Sequence, residues 1–287
     1  AGINARPVPD NELNYVYKFL PFTLTQVYAG RVAQAFGNIE HIATDATACT
    51  SSLKALMDVQ TLIEMYGFER VIVLTVEDAV SNSVLEFFGE AQASLLWKDE
   101  EKGIQPSAFD NVNGGFHVGQ GAALAVFEAS HVAKDPVAQL ISAYTASENH
   151  TNAIGQREDG AGYVRAIQGA LDFAGVDPSE IKVIKTHGTG TKSNNLAETF
   201  AIESMLRKFV ATSYKPRIGH TMGASGLLET CLLLDDLAVG VVPKILNRTS
   251  PDERYLSEDV ENPGGLILSL ASGMGNVYSA AVLSTEF

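Results

Sequence analysis

Ala43-Thr44-Asp45-Ala46-Thr47-Ala48-Cys49-Thr50-Ser51-Ser52-Leu53 reads as the end of a strand, a turn and the start of a helix, with a cysteine at the turn. A thiol so placed faces a helix amino terminus, whose positive dipole end and free N–H groups lower its pKa and favour thiolate. Small residues on both sides leave room for a substrate to reach the sulfur. The same segment also suits a small side chain buried under a helix.

Two further segments put a histidine beside glycines: Thr186-His187-Gly188-Thr189-Gly190-Thr191 and Gly219-His220-Thr221-Met222-Gly223-Ala224. Glycine lets backbone approach a ligand closely, and each threonine hydroxyl can hydrogen-bond to an amide or hydroxyl. Taken singly, a phosphate-cradling loop or a plain turn would look similar to the first. His41, His117, His131 and His150 have no comparable setting and read as structural.

With 287 residues, 46% of them hydrophobic and 19% charged, the composition is that of a globular chain able to bury one large core or two halves. Apolar runs such as Gly121–Phe127 are too short to span a membrane. No secretory signal pattern is visible, and two cysteines make no disulfide framework, so a cytoplasmic setting is expected. Cys231, in the apolar run Leu227–Leu234, reads as buried filler. A net charge of −14 argues against nucleic acid as a partner.

Short apolar runs alternate with helical patterns, which predicts a layered α/β fold. Strands are expected at His41–Thr44, Val71–Val76, Gly121–Phe127, Ala138–Thr145, Ile181–Thr186, Gly265–Leu270 and Val277–Leu283. Helices are expected at Leu24–Phe36, Ser51–Tyr66, Gly160–Ala174, Leu196–Phe209 and Ala224–Leu237. A polar junction around Ala133–Pro136 divides the chain into halves, 1–134 and 135–287. The stretch between Val76 and Gly121, without strand pattern, reads as a functional loop or insertion.

Jointly, the three segments closely resemble the β-ketoacyl-acyl carrier protein synthases, the Cys-His-His decarboxylating condensing enzymes of the thiolase superfamily. The order Cys, His, His matches, as do Thr-Ala-Cys-x-Ser-Ser-Leu, His-Gly-Thr-Gly-Thr and Lys215-x-x-x-Gly219-His220-x-x-Gly223-Ala224. Weaker likenesses are Gly115-Phe116-x-x-Gly119-x-Gly121 and Gly273-Met274-Gly275. The resemblance implies a thiolase-like fold, two similar βαβαβ-type halves in an αβαβα arrangement. It also implies that the amino-terminal half is incomplete, lacking a central strand, with an upstream segment or a separate chain to donate it. The strands at His41 and Val71 would then lose a shared neighbour.

The implied roles follow position by position. Cys49 takes the acyl chain as a thioester, and its N–H with that of Met274 forms the oxyanion hole. His187 and His220 hydrogen-bond the malonyl thioester carbonyl, and Lys215 and Glu198 orient them. Thr189 and Thr191 hold a phosphopantetheine arm, while Phe88 and Met274 line the acyl pocket. The resemblance implies no metal and no cofactor of the protein's own, the substrates riding on acyl carrier protein. It further implies a homodimer, or a heterodimer with a related subunit. A non-catalytic, chain-length-determining subunit is the alternative; such subunits usually lack the nucleophile. A degradative thiolase would need a second cysteine near Gly273–Gly275, and the starter-condensing relatives use Cys-His-Asn. Departures from the pattern are Met274 where an aromatic gate is common, Asn276-Val277-Tyr278 after it, Gln120 for an acidic residue and Asn195 for Asp.

Overall fold

A computed structural model describes residues 24–286 apart from 92, 112 and 113, so the first 23 residues of the amino-terminal half lie outside the described residues. The chain runs α1 (Thr25–Phe36), a 3-10 turn (Ala48–Thr50), α2 (Ser51–Glu64), β1 (Arg70–Glu77), α3 (Asn82–Glu90), α4 (Trp97–Glu100) and β2 (Gly121–Glu128). Next come β3 (Gln139–Ser147), α5 (Ala161–Ala174), β4 (Ile181–Lys185), α6 (Lys192–Met205), β5 (Val210–Thr212), α7 (Lys215–Ile218) and a 3-10 turn (Met222–Ala224). The last elements are α8 (Ser225–Ala238), β6 (Val241–Val242), β7 (Val260–Glu261), β8 (Leu266–Gly273) and β9 (Val277–Ser284).

The main sheet has the order β3-β9-β8-β4-β5. In it β4 is parallel to both β5 and β8, and β9 is antiparallel to β8 and β3. Period-two alternation divides the strands between two cores. On β8, Ile267 and Ala271 face α2 and α8, joining Leu53, Leu56, Val59, Leu227, Leu233 and Leu237. Leu268 and Leu270 face the other way, against Tyr163, Ile167 and Leu171 of α5 and Ile202 of α6. Burial on both faces explains why these strands read as continuous apolar runs.

β1 and β2 form an antiparallel ribbon in full register, Arg70 opposite Glu128 through Glu77 opposite Gly121. Val71, Val73, Ala123, Ala125 and Phe127 of the ribbon join the core around α2 and α8, which therefore lie between the ribbon and the five-stranded sheet. The layers run ribbon, α2 with α8, sheet, α5 with α6. The ribbon's outer face exposes Leu74 (40%), Val76 (50%), Leu124 (45%) and Val126 (54%). Here β1 has β2 as its one strand neighbour among the described residues. None of the described helices is long and apolar enough to cross a membrane.

Six of the seven expected strands are present. The seventh, His41–Thr44, is irregular and exposed: it finds no strand neighbour among the described residues, and an unpaired extended segment gains no ladder bonds. The helix expected at Leu196–Phe209 begins earlier, at Lys192, and ends at Met205. Leu206 and Phe209 are apolar because the core around Tyr255 buries them, not because the helix continues. The short strand β5 that follows was missed. Cys231 lies half-buried in α8 against the central core, as filler.

Leu56→Ala should test the layer between ribbon and sheet, since Leu56 is fully buried there. Urea unfolding is expected to show a loss of about 2–5 kcal/mol. A loss below about 1 kcal/mol would show that α2 is not packed between the two sheets.

Candidate active site

The site lies where the carboxyl ends of β4, β5 and β8 meet the start of α2, the usual place for chemistry in an open α/β sheet. Ala48 adopts a left-handed backbone, φ 52°, which reverses the chain into the 3-10 turn and delivers Cys49 to the entry of α2. Thr50 Oγ1 and Ser51 Oγ donate to the carbonyls of Thr47 and Ala48, and Thr47 N–H donates to Ser51 Oγ, locking the turn.

That turn packs against the last residue of β8. A Cβ on Gly273 would stand 3.0 Å from the Thr47 carbonyl and 3.2 Å from Cys49 N, so glycine allows an approach that any side chain would crowd by a few tenths of an ångström. Met274 follows at once, and the turn is closed by left-handed Gly275 and Asn276. Gly275 N–H donates to Ala153 O and Asn276 Nδ2 donates to His150 O, fixing the loop from outside. The two expected oxyanion donors, Cys49 and Met274, are thus carried on abutting turns.

His187 ends β4. Its N–H and that of Gly188 both donate to the buried carboxylate of Glu198 on α6, at 2.6 and 2.9 Å, and Asn194 Nδ2 adds a third bond at 2.8 Å. Glu198 therefore orients the histidine through its backbone. His220 is held differently. Its N–H donates to His117 O, its carbonyl accepts from Gly119 N–H, and Val118 bridges to it in parallel. Its Nδ1 lies 2.8 Å from Ser225 Oγ at the start of α8. The rings of His187 and His220 meet edge to face with centroids 5.4 Å apart, and Phe116 stands over His220 at 4.9 Å. Nδ1 of His187 is buried without a hydrogen-bond partner in the protein, an atom that a bound group can satisfy.

Lys215 does not bond either histidine: its Nζ donates to Glu229 on α8 at 2.8 Å. The other oxygen of Glu229 lies 3.4 Å from Nζ of a second buried lysine, Lys185, which also donates to Leu270 O at 2.6 Å. Burial holds both imidazoles well below the usual histidine range, and the Lys215 and Lys185 charges push the same way. The rings are therefore neutral at physiological pH, each with one N–H to give.

Cys49 departs from expectation. Burial pushes its thiol up to about 12; Lys215 opposes the rise and the buried Glu77 adds to it. Desolvation outweighs the helix end, so the resting sulfur is a thiol. Glu77, at the end of β1, also lies 3.3 Å from Gly223 N–H, and Thr75 Oγ1 lies 3.4 Å from Gly223 O. Both contacts tie the ribbon to the His220 turn.

Phe88 packs edge to face on Phe116 at 6.1 Å, at the margin of an apolar cluster that also holds Cys49, Ala79 and Met222. Thr189 and Thr191 share a hydroxyl contact of 3.1 Å at the entry of α6. Asn195 accepts from Phe109 N–H at 3.2 Å, a bond its amide oxygen makes without a charge. Glu77, Lys185, Glu229 and Ser225 escaped the sequence reading. Lone acids, lysines and serines in strands and helices carry no local signal; Lys185 shares its short strand with a second lysine, Lys182, so even its place there does not single it out.

A family profile described as the β-ketoacyl synthase N-terminal domain matches residues 5–133, and the profile of the C-terminal domain matches residues 137–249. The chain is 32% identical over 279 residues to a putative polyketide β-ketoacyl synthase 1 of Streptomyces cyaneus, covering 93% of this chain and 65% of that one. It is 27% identical to 3-oxoacyl-[acyl-carrier-protein] synthase 2 of Vibrio cholerae, covering 91% of this chain and 64% of the other. The chain thus spans a little under two thirds of the length of these relatives. Among solved structures, a type II polyketide ketosynthase in complex with its acyl-carrier protein superposes with a TM-score of 0.86 at 22% identity, over 97% of this chain and 71% of that one. A β-ketoacyl synthase from Burkholderia phymatum also gives 0.86 at 22%, over 96% and 69%. These likenesses bear out the thiolase-like fold.

A thiol near 12 has a direct consequence for alkylation. The rate of iodoacetamide labelling at Cys49 should climb about tenfold per pH unit up to about pH 10, without a plateau, because the thiolate fraction is still growing. A plateau below about pH 9 would mean that the helix end stabilises the thiolate after all.

Proposed function

The chain belongs to the β-ketoacyl synthase family, and from that premise we propose that it is an acyltransferase that performs decarboxylative condensation on acyl carrier protein. One observation carries the reading: two neutral, buried imidazoles stand edge to face beside a cysteine-bearing turn that abuts the Gly273-Met274-Gly275 loop.

In the first step Cys49 Sγ attacks the acyl carbonyl of a carrier-bound thioester. Its proton passes to the departing carrier sulfur, which leaves as the thiol. The tetrahedral oxyanion is received by the N–H groups of Cys49 and Met274. In the second step the malonyl C–C bond breaks, carbon dioxide departs, and the electron pair becomes an enolate on the thioester oxygen. His187 and His220 donate to that oxygen; with Ser225 Oγ donating to Nδ1 of His220, its Nε2 carries the proton. The carbon then attacks acyl-Cys49, the C–S bond breaks, the sulfur leaves as thiolate, and it takes one proton from solvent to return to the resting thiol. Neutral donors suit this role, because an imidazolium would lose its proton to the enolate rather than share it.

The same reading assigns Thr189 and Thr191 to the phosphopantetheine arm and Phe88 to the acyl wall. It needs no metal or cofactor of the protein's own, takes acyl carrier protein as its partner, pairs the chain with itself or a related subunit, and operates in the cytoplasm in fatty-acid or polyketide synthesis.

The test is mass measurement of the full chain after incubation with acyl-loaded and malonyl-loaded carrier protein, with carbon dioxide release followed in parallel. Cys49→Ala should lose acylation and keep its fold. His187→Ala and His220→Ala should keep acylation but slow decarboxylation by about 10²–10³-fold. Acylation of the Cys49→Ala protein would remove the nucleophile. Unchanged carbon dioxide release in either histidine variant would remove the enolate role.

A further inference from the structure

Lys185 and Lys215 are both fully buried and are bridged by the two oxygens of one carboxylate, Glu229. A buried pair normally balances its charges, since desolvated ions are costly when unpaired. Here two ammonium groups share one carboxylate in ion-pair contact, while Glu198, the other buried acid facing Lys185, is held by the N–H groups of His187 and Gly188 and by Asn194. Strand geometry says where the surplus points. Val183 faces the α2–α8 layer, and residues two apart on a strand share a face, so Lys185, the last residue of β4, follows on that side, with His187 two residues beyond the strand end. The contact of Lys185 with Glu229 on α8 agrees with that direction.

Resting on the condensation reading above, we propose that Lys185 is a positioning residue for the histidine pair. It keeps Lys215 only partly neutralised, so that a buried positive charge stands behind the oxygen on which the enolate forms. Two effects follow from that charge. It discourages protonation of His187 and His220, leaving both as neutral donors, and it favours negative charge at the atom they bond. The groups facing Lys185 are Glu229 from α8, Lys215 from α7, Glu198 from α6, the Leu270 carbonyl from β8 and the two imidazoles. Burial lowers the Lys185 ammonium to about 8, against the pull of Glu229. The surplus charge is therefore present below that pH and is lost as the pH rises through it.

Carbon dioxide release from malonyl carrier protein by the full wild-type chain, measured from about pH 7 to about pH 10, should fall by about tenfold across this range. Lys185→Met should start about tenfold slower at neutral pH, lack the alkaline fall and keep Cys49 acylation within about twofold. A merely structural role would lower both steps together and leave the pH profile of the remaining activity unchanged. A wild-type profile flat through pH 8 overturns the proposal without any variant having to fold. If the wild type releases no carbon dioxide at all, it is the condensation reading that fails. Lys185 is then judged by 15N NMR titration of the histidine rings: both should protonate at higher pH in Lys185→Met, and unchanged titration refutes the role.

Discussion

The starts of α2 and α8 approach so closely that the rest of the site depends on their contact. A Cβ on Gly226 would lie 2.7 Å from Leu53 Cγ and 2.8 Å from Ser52 Oγ, and Leu227 N–H donates to that same hydroxyl at 3.0 Å. Cys49 sits just before one helix and His220 just before the other. Small residues at both starts therefore do more than fill space. They bring two turns, far apart in sequence, within reach of one substrate, and the core of α2, α8 and β8 fixes them there.

Around that contact the main electrostatic effect is removal of water. Desolvation raises the Cys49 thiol and lowers both imidazoles, so all three groups rest uncharged. A neutral resting site is suited to a reaction in which charge appears transiently on oxygen, because fixed donors then act without competing ion pairs. The charged groups stand one layer back. Glu198 grips the backbone of His187 and Gly188, and the two lysines share Glu229.

The turn after β8 shows how a departure from a familiar pattern can be absorbed. Asn276 replaces no bond with nothing: its amide reaches His150 O, and its own left-handed backbone closes the turn. Tyr278 is buried, packs edge to face on Tyr163 and donates to Glu148. Tyr163 in turn bonds Asn194 and Ser272, so a buried polar chain joins the Glu198 side of the site to the strand end before Met274.

Much was determined by the sequence itself. Apolar periodicity placed six strands and four helices within a few residues, because burial on one or both faces writes a regular pattern. Glycine and histidine together marked His187 and His220, since close backbone approach leaves glycine as a visible trace. Tertiary structure alone decided the rest. His41–Thr44 has strand composition, but strand formation needs a neighbour to bond, and no local pattern supplies one. The helix boundary at Met205 depended on which element would bury Leu206 and Phe209. Cys49 became a thiol rather than a thiolate because desolvation is set by everything packed around it, whereas the helix dipole is set by adjacent residues. Lys185, Glu229 and Glu77 acquire meaning only when strands and helices distant in sequence bring single charges together in a volume that excludes water.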